Sequence, residues 1–252
     1  MKKAFHLSAI SVGILASSLL LTSTAFAHNY KGEGNYKGEA VAAPCPVMEK
    51  LQSGFYVGGQ VGYDSYRVRQ NETTATGIAG VGTVTLSRLV NPTGFVGGLF
   101  AGYGQYFNDY YYLGGELLGN YSNAQSSTST SSSAAGTLYS QTMNVYGSWG
   151  LSLLPGLKVN DTSLLYARLG YRWDRMKVNE FDPALSAGNV NTTKWSNGFN
   201  LGLGIETLIT CDWSVRTEYN HTWNNSFHTT LTGANIQPAY NQVMLGLVYH
   251  IV

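Results

Sequence analysis

In the segment Leu165-Tyr166-Ala167-Arg168-Leu169-Gly170-Tyr171-Arg172, Leu165, Ala167, Leu169 and Tyr171 fall on one parity and Arg168, Gly170 and Arg172 on the other. Successive side chains of an extended chain point to opposite faces, so one face of this strand is apolar and the other ionic. The same period recurs along the chain. Segments at about 54–66, 94–107, 110–122, 140–153, 163–175, 196–209, 213–224 and 240–251 show it, and each reaches the roughly 9–11 residues that a tilted membrane strand needs.

One face reads Phe55, Val57, Val61; Phe95, Leu99, Ala101; Leu113, Leu117, Tyr121; Val145, Trp149, Leu151, Leu153. It continues with Leu165 to Tyr171, then Phe199, Leu201, Leu203, Ile205; Trp213, Val215, Tyr219; and Val243, Leu245, Leu247, Tyr249, Ile251, with no charge among them. The other face carries Asp64, Glu116, Arg168, Arg172, Asp174, Glu206, Arg216 and Glu218, interleaved with glycines such as Gly58, Gly102, Gly170 and Gly204. Arg67 and Arg175 break phase only at the loop-side ends. Connections alternate in length: Asn108-Asp109, Pro155 to Thr162 and Thr210 to Asp212 are short, whereas 67–93, 123–139, 176–195 and 225–239 are long. Short turns at one end and long loops at the other predict an all-β chain, an eight-stranded antiparallel up-and-down transmembrane β-barrel over residues 54–252.

A soluble barrel would also separate two faces, with the apolar one turned inward. Lysine decides between them. A water-facing exterior is dressed in Lys and Glu, yet every lysine after the first thirty residues (31, 37, 50, 158, 177 and 194) lies in the leader, a turn or a loop. Aromatic residues collect at strand ends, as in Tyr110-Tyr111-Tyr112, Trp173, Trp195, Trp213 and Trp223, where the two membrane interfaces are expected.

Composition supports this reading. Of 252 residues only 12% are charged, about half the usual quarter for a soluble domain, and 30 are glycine. Fifteen basic against fourteen acidic side chains give no steer toward nucleic acid. Lys2 and Lys3 precede an apolar stretch from Ile10 to Leu21, and Ala25-Phe26-Ala27 gives the small-x-small pattern of a cleaved signal peptide over residues 1–27. Residues 28–53, polar and carrying the tandem Asn29-Tyr30-Lys31-Gly32-Glu33 and Asn35-Tyr36-Lys37-Gly38-Glu39, read as an exposed, flexible periplasmic leader. Two copies are too few for a solenoid.

Cys45 and Cys211 are the only cysteines. In an oxidising compartment two thiols tend to pair, and this topology puts both on the periplasmic side, so a disulfide tying the leader beneath the barrel is expected; free or intermolecular thiols are the alternative. No metal or cofactor site is expected, because His28, His221, His228 and His250 are scattered and neither cysteine has a CxxC partner.

Glu116, Arg168, Glu206, Arg216 and Glu218 each lie three to six residues from the short-turn end, roughly 7–15 Å along the axis of a barrel with strands tilted about 45°. Together with Arg172 they are the expected lumen charge network. Charges withdrawn from water need partners, and an eight-stranded barrel is only wide enough for side chains to fill. A satisfied plug that fixes strand register is the leading account; a gate or a narrow channel for small apolar or ionic solutes, with Phe100, Leu118, Tyr146 and Met244 adding apolar contacts to the lumen, is the alternative. In the loops, Gly77 to Leu86 is expected to extend the strands above the membrane. Ala124 to Leu138, a Ser/Thr run that builds no core, is expected to be mobile.

The motifs Gly54-Phe55-Tyr56-Val57-Gly58-Gly59, Gly97-Gly98-Leu99-Phe100-Ala101-Gly102-Tyr103, Tyr112-Leu113-Gly114-Gly115-Glu116, Tyr166 to Arg172 and Trp213-Ser214-Val215-Arg216-Thr217-Glu218-Tyr219 resemble, in order and spacing, the small outer-membrane β-barrels of the opacity-protein and OmpA-like surface-antigen group. The resemblance covers about residues 54–252. It implies an outer-membrane barrel of a Gram-negative bacterium with surface loops, no catalytic residues, outer-membrane lipid around it and a host or surface ligand at its loops. Two departures stand out. The last residues, Tyr249-His250-Ile251-Val252, lack the terminal aromatic that such barrels usually end on, and no peptidoglycan-binding domain follows, so no cell-wall tether is implied. A lipid-modifying enzyme centred on Glu218-Tyr219-Asn220-His221-Thr222-Trp223-Asn224 is a third reading; lipid A deacylases carry a serine two places after the histidine, where this chain has Trp223.

Overall fold

The structure, a computed structural model, describes residues 51–75, 83–131, 138–181, 189–228 and 235–251. The signal peptide, residues 28–50 of the leader and Cys45 lie outside the described residues. Among the described residues eleven strands follow in order: β1 (Gly54–Ala75), β2 (Thr83–Val90), β3 (Thr93–Phe107), β4 (Tyr111–Ser122), β5 (Gln125–Ser131), β6 (Leu138–Asn160), β7 (Ser163–Phe181), β8 (Asn189–Leu208), β9 (Trp213–Asn224), β10 (Phe227–His228) and β11 (Asn235–Ile251). Eight of them, β1, β3, β4, β6, β7, β8, β9 and β11, pair antiparallel in sequence order. β11 returns to β1 from Phe55↔Ile251 to Asn71↔Asn235 and closes the ring. Closure leaves no unpaired edge, the condition for a sheet to cross hydrocarbon.

The short turns follow from local chemistry. Asn108 and Asp109 take φ of 50° and 59°, and the Tyr110 N–H donates to the Phe107 carbonyl at 3.3 Å. Two left-handed residues in sequence make a type I′ hairpin, whose twist matches the flanking strands and which Asn and Asp tolerate best among residues with a side chain. The connection expected over Pro155 to Thr162 is shorter than that. β6 runs on to Asn160, leaving Asp161-Thr162 as the turn. Pro155 stays within the strand because it still faces Leu113 of β4, while the pairing with β7 lapses at Leu154 and Pro155 and resumes at Gly156. A missing N–H is tolerable where it breaks the ladder on one side only.

At the long-loop end the strands rise well beyond the bilayer. β2 pairs with the upper half of β1, as expected of the first loop, although residues 76–82 lie outside the described residues. The serine-rich second loop departs from expectation: Gln125 to Ser131 form β5, paired register by register with Leu138 to Asn144 of β6. Backbone pairing needs no apolar side chains, so a Ser/Thr run can extend a hairpin that the barrel already holds in register.

Within the apolar belt parity holds with one exception; beyond it Lys194, at an even position of β8, is exposed, and a second register shift lies between Lys158 and Asn160 at the short turn. Odd-numbered positions from Phe55 to Ile251 face outward and even-numbered ones inward, but a β-bulge between Val145 and Gly147 shifts β6 by one residue. Val145, expected on the exterior, is 2% exposed inside, and Tyr146, expected in the lumen, is 38% exposed outside. An extra residue in one strand of a pair reverses the faces beyond it. Here that lets Met143 and Val145 point inward above the bulge while Trp149, Leu151 and Leu153 point outward below it.

The interior is stacked in layers. At the short-turn end Leu51, Tyr112, Leu154, Leu164 and Tyr166 form an apolar cap. Leu51 falls in the stretch expected to be an exposed leader, yet it is buried, and its N–H donates to the Asp161 carbonyl at 2.9 Å. Next to this cap Tyr56, Phe100, Leu118 and Val248 form a second apolar group. At the loop end Tyr66, Val68, Met143, Val145, Met176, Val178, Ile236 and Tyr240 pack as a third. Glycines make room where rings lie flat on the wall. A Cβ on Gly102 would meet the Tyr56 ring at 2.5 Å, and one on Gly204 would run into the Tyr166 ring, both inside van der Waals contact.

Candidate functional site: the charged bore

Five charged side chains, each on an inward position of its strand, meet between the apolar layers. β7 supplies Arg168, β9 Arg216 and Glu218, β4 Glu116 and β8 Glu206, and all are at most 4% exposed. The register brings them together: Glu206 faces Arg216 directly, and Glu218 faces Gly204, whose missing side chain leaves space beside it. Arg216 Nη1 donates to Glu116 Oε2 at 2.6 Å, and Arg216 Nη2 to Glu206 Oε2 at 2.9 Å. Arg168 Nη2 donates to Glu116 Oε1 at 2.7 Å and to Glu218 Oε1 at 2.6 Å. Glu116 therefore bridges the two guanidinium groups, and the ions form one chain across the bore rather than separate pairs.

Neutral donors satisfy the remaining carboxylate lone pairs. Tyr56 donates to Glu116 at 3.1 Å, Tyr166 to Glu218, Asn220 to Glu218 at 3.1 Å and Ser214 to Glu206 at 2.6 Å. His250 Nε2 lies 2.9 Å from Glu206 Oε1, a partner from the end of the last strand. Arg216 also lies over three rings, with its Cζ 4.6 Å from the Phe100 centroid and 5.3 Å from those of Tyr56 and Tyr166. Cation–π attraction of this kind strengthens as water is excluded.

Arg172, expected in the same network, belongs to a separate layer. It lies four residues further along β7, roughly 13 Å of strand. There its Nη1 donates to Gln242 Oε1 at 3.0 Å and to Tyr240 Oη at 3.3 Å. Asp174 and Asp64, the acids of that layer, reach it only through intermediates: Tyr240 donates to Asp174 at 3.2 Å and Gln242 to Asp64 at 2.8 Å. Asn224 adds a 2.6 Å bond to Asp174. Tyr240, Gln242 and Asn224 drew no attention in the sequence. Their inward parity beside Asp64 and Asp174 was the available signal.

His221, the centre of the enzymatic alternative, sits at the loop-end girdle. Its Nδ1 lies 2.6 Å from Asn241 Oδ1, which also accepts from Tyr219 at 2.8 Å, and its ring meets Trp223 edge-on at 4.3 Å. Cys211 is half-buried in the turn after β8, and its expected partner Cys45 lies outside the described residues. Among the described residues no group of three or more His, Cys, Asp or Glu side chains could hold a metal ion.

The outer wall is continuous apolar surface between two aromatic belts. Phe55 with Tyr103 and Trp213 with Tyr249 mark the short-turn belt; Tyr63 with Phe95, stacked Trp149 and Trp173, and Phe199 with Trp223 mark the other. Phe55 and Tyr63 of β1 stand roughly 26 Å apart along the strand, about 20 Å along the axis of a tilted barrel, close to the apolar band of an outer-membrane protein. Residues 14–250 match the profile of the outer membrane protein beta-barrel domain. The chain belongs to that family.

As a member it resides in the outer membrane, with short turns toward the periplasm and long loops outside. No curated protein matches the chain. Among solved structures it is similar in fold to Neisserial surface protein A, at 14% identity and a TM-score of 0.38, with 79% of this chain and 98% of that one covered. It is similar also to Ail, the attachment invasion locus protein of Yersinia pestis, at 12% and 0.34 over 78% of this chain and 99% of that one. The outer membrane protease OmpT of Escherichia coli gives 12% and 0.46 over 81% and 100%.

Proposed function

We propose that this protein is a non-enzymatic outer-membrane barrel, a surface antigen or structural element of the envelope, whose bore is held shut and whose raised strands carry its exposed surface toward a host or surface ligand. The observation that carries this reading is the ionic chain from Glu218 through Arg168, Glu116 and Arg216 to Glu206, which spans the lumen between apolar layers. A permeating ion would have to part bonds of 2.6–2.9 Å in a site withdrawn from water. Purified protein in planar bilayers is expected to give no steady conductance, and large sustained steps in the unmodified protein would overturn the closed bore.

A narrow path for small ions is the second reading, and one observation favours it. Arg168 Nε and Nη1 and Arg172 Nε are buried without a hydrogen-bond partner among the described residues, so the wall between the two layers offers donors that water or a small anion would use. Rare, small, anion-selective events would mark this path. A lipid-modifying role for His221 has less support, since Asn241 and Trp223 engage the ring as an interfacial anchor. Mass spectrometry of envelope lipids after expression separates it from both: no change in acylation is expected.

A further inference from the structure

Exposed charge is sorted along the barrel axis. Asp109, Asp161 and Asp212 sit in the periplasmic turns, where Lys158 is paired with Asp161 at 2.8 Å. At the opposite end Arg67, Arg69, Arg175, Lys177 and Lys194 reach the surface, and among the residues whose side chains are described no exposed acid stands with them and no ion pair holds them. Their height is specific. Arg175 and Lys177 continue the outward parity of Tyr171 and Trp173 on β7, about 5 and 10 Å beyond the aromatic belt along the axis. That is the level of lipid headgroups, below the tips of the raised hairpins.

The bulge in β6 shapes the wall beside them. By turning Tyr146 outward it closes one side of a cleft of about 570 Å³, lined by Tyr121, Tyr146, Trp149, Arg175, Lys177 and Trp195. The lower lining, or floor, is mainly aromatic, with Ser148 and Thr193 beside the rings, and meets the acyl-facing wall at Trp149, while Arg175 and Lys177 make the upper rim cationic. We propose that this cleft seats the phosphorylated headgroup of an outer-leaflet glycolipid, with Arg175 and Lys177 on phosphate and the acyl chains running down past Trp149. Guanidinium and ammonium groups are the usual phosphate partners, and a tryptophan at the interface suits a ligand apolar at one end and wet at the other. A soluble polyanion would meet the charge but not the apolar floor. The proposal is independent of whether the bore conducts.

Native mass spectrometry of the full-length protein in neutral detergent tests it, with diphosphorylated lipid A and the same lipid stripped of phosphate as probes. The unmodified protein is expected to retain the diphosphorylated lipid and to lose the dephosphorylated one. Arg175→Gln with Lys177→Gln is expected to lower retention by roughly ten- to thirtyfold, Arg175→Lys to keep most of it, and Lys158→Gln at the other end to change nothing. Heat-modifiable gel mobility verifies that each variant is folded, and Trp195→Leu, which leaves the cations in place, is expected to weaken retention less. Equal retention of the two lipids, or unchanged retention in the double variant, would overturn the site. So would displacement of the lipid by soluble heparin at low concentration, which would assign the cations to a polysaccharide instead.

Discussion

Replacing Arg216 by alanine is expected to destabilise the folded barrel by about 3–5 kcal/mol, the usual cost of leaving a buried charge without its partner. Arg216 neutralises Glu116 at 2.6 Å and Glu206 at 2.9 Å, and both acids are as deeply buried as it is. The loss has three parts: Glu206 is left with only Ser214 and His250 while Glu116 keeps Arg168, a cavity opens where one of the largest buried side chains stood, and the ring contacts with Phe100, Tyr56 and Tyr166 disappear. Urea unfolding in detergent, followed by heat-modifiable mobility, reads the shift. The triple change Arg216→Met, Glu116→Gln and Glu206→Gln separates charge from packing, because it fills the same space without stranding an ion. It is expected to recover much of the loss, as replacement of whole buried ion networks generally does. If Arg216→Ala cost no more than about 1 kcal/mol, the network would be ornamental and strand register would have to be set elsewhere.

Much of this was readable from alternation alone. Asp64, Glu116, Arg168, Arg172, Asp174, Glu206, Arg216 and Glu218 face inward as their parity requires, because a strand leaves only two choices and the membrane makes the wrong one costly; Glu180, buried on β7 in a stretch read as a loop, was missed. The failures occurred where the local signal is symmetric. Val145, Trp149 and Leu151 share a parity and are all apolar, so nothing in that run marks a change of phase. The bulge is visible only once Met143 and Val145 meet Met176, Val178 and Ile236 from neighbouring strands. Pro155 reads as a turn because proline usually ends strands; that β4 keeps its other side paired is tertiary information. The split of Arg172 from Arg168 depends on height along one strand, which parity does not encode. Gln242 and Tyr240 join its layer only through the closure of β11 onto β1.

A charge on the outer wall should reveal what surrounds it. Leu203→Arg is expected to cost about 2–4 kcal/mol in a bilayer, since this residue is 64% exposed near mid-height of β8, between Phe199 of the upper belt and Trp213 of the lower. Ile209→Arg, at the periplasmic interface of the same strand's end, is expected to cost about 0–1 kcal/mol, because a long side chain there can reach headgroups. The gradient is the diagnostic. On a water-facing exterior both substitutions would fall within about 0.5 kcal/mol of neutral. Refolding yields into vesicles of neutral phospholipid, compared across the two variants and Leu247→Arg on β11, measure it. Leu247 lies two strands from β8, on the β11–β1 seam with Gly59 opposite, so a large cost there as well would show that the apolar belt continues around to the closure of the barrel. Equal costs at positions 203 and 209 would mean that no hydrocarbon gradient crosses this face. The odd parity would then be facing water or another protein, and the ionic bore would lose the physical reason for its burial.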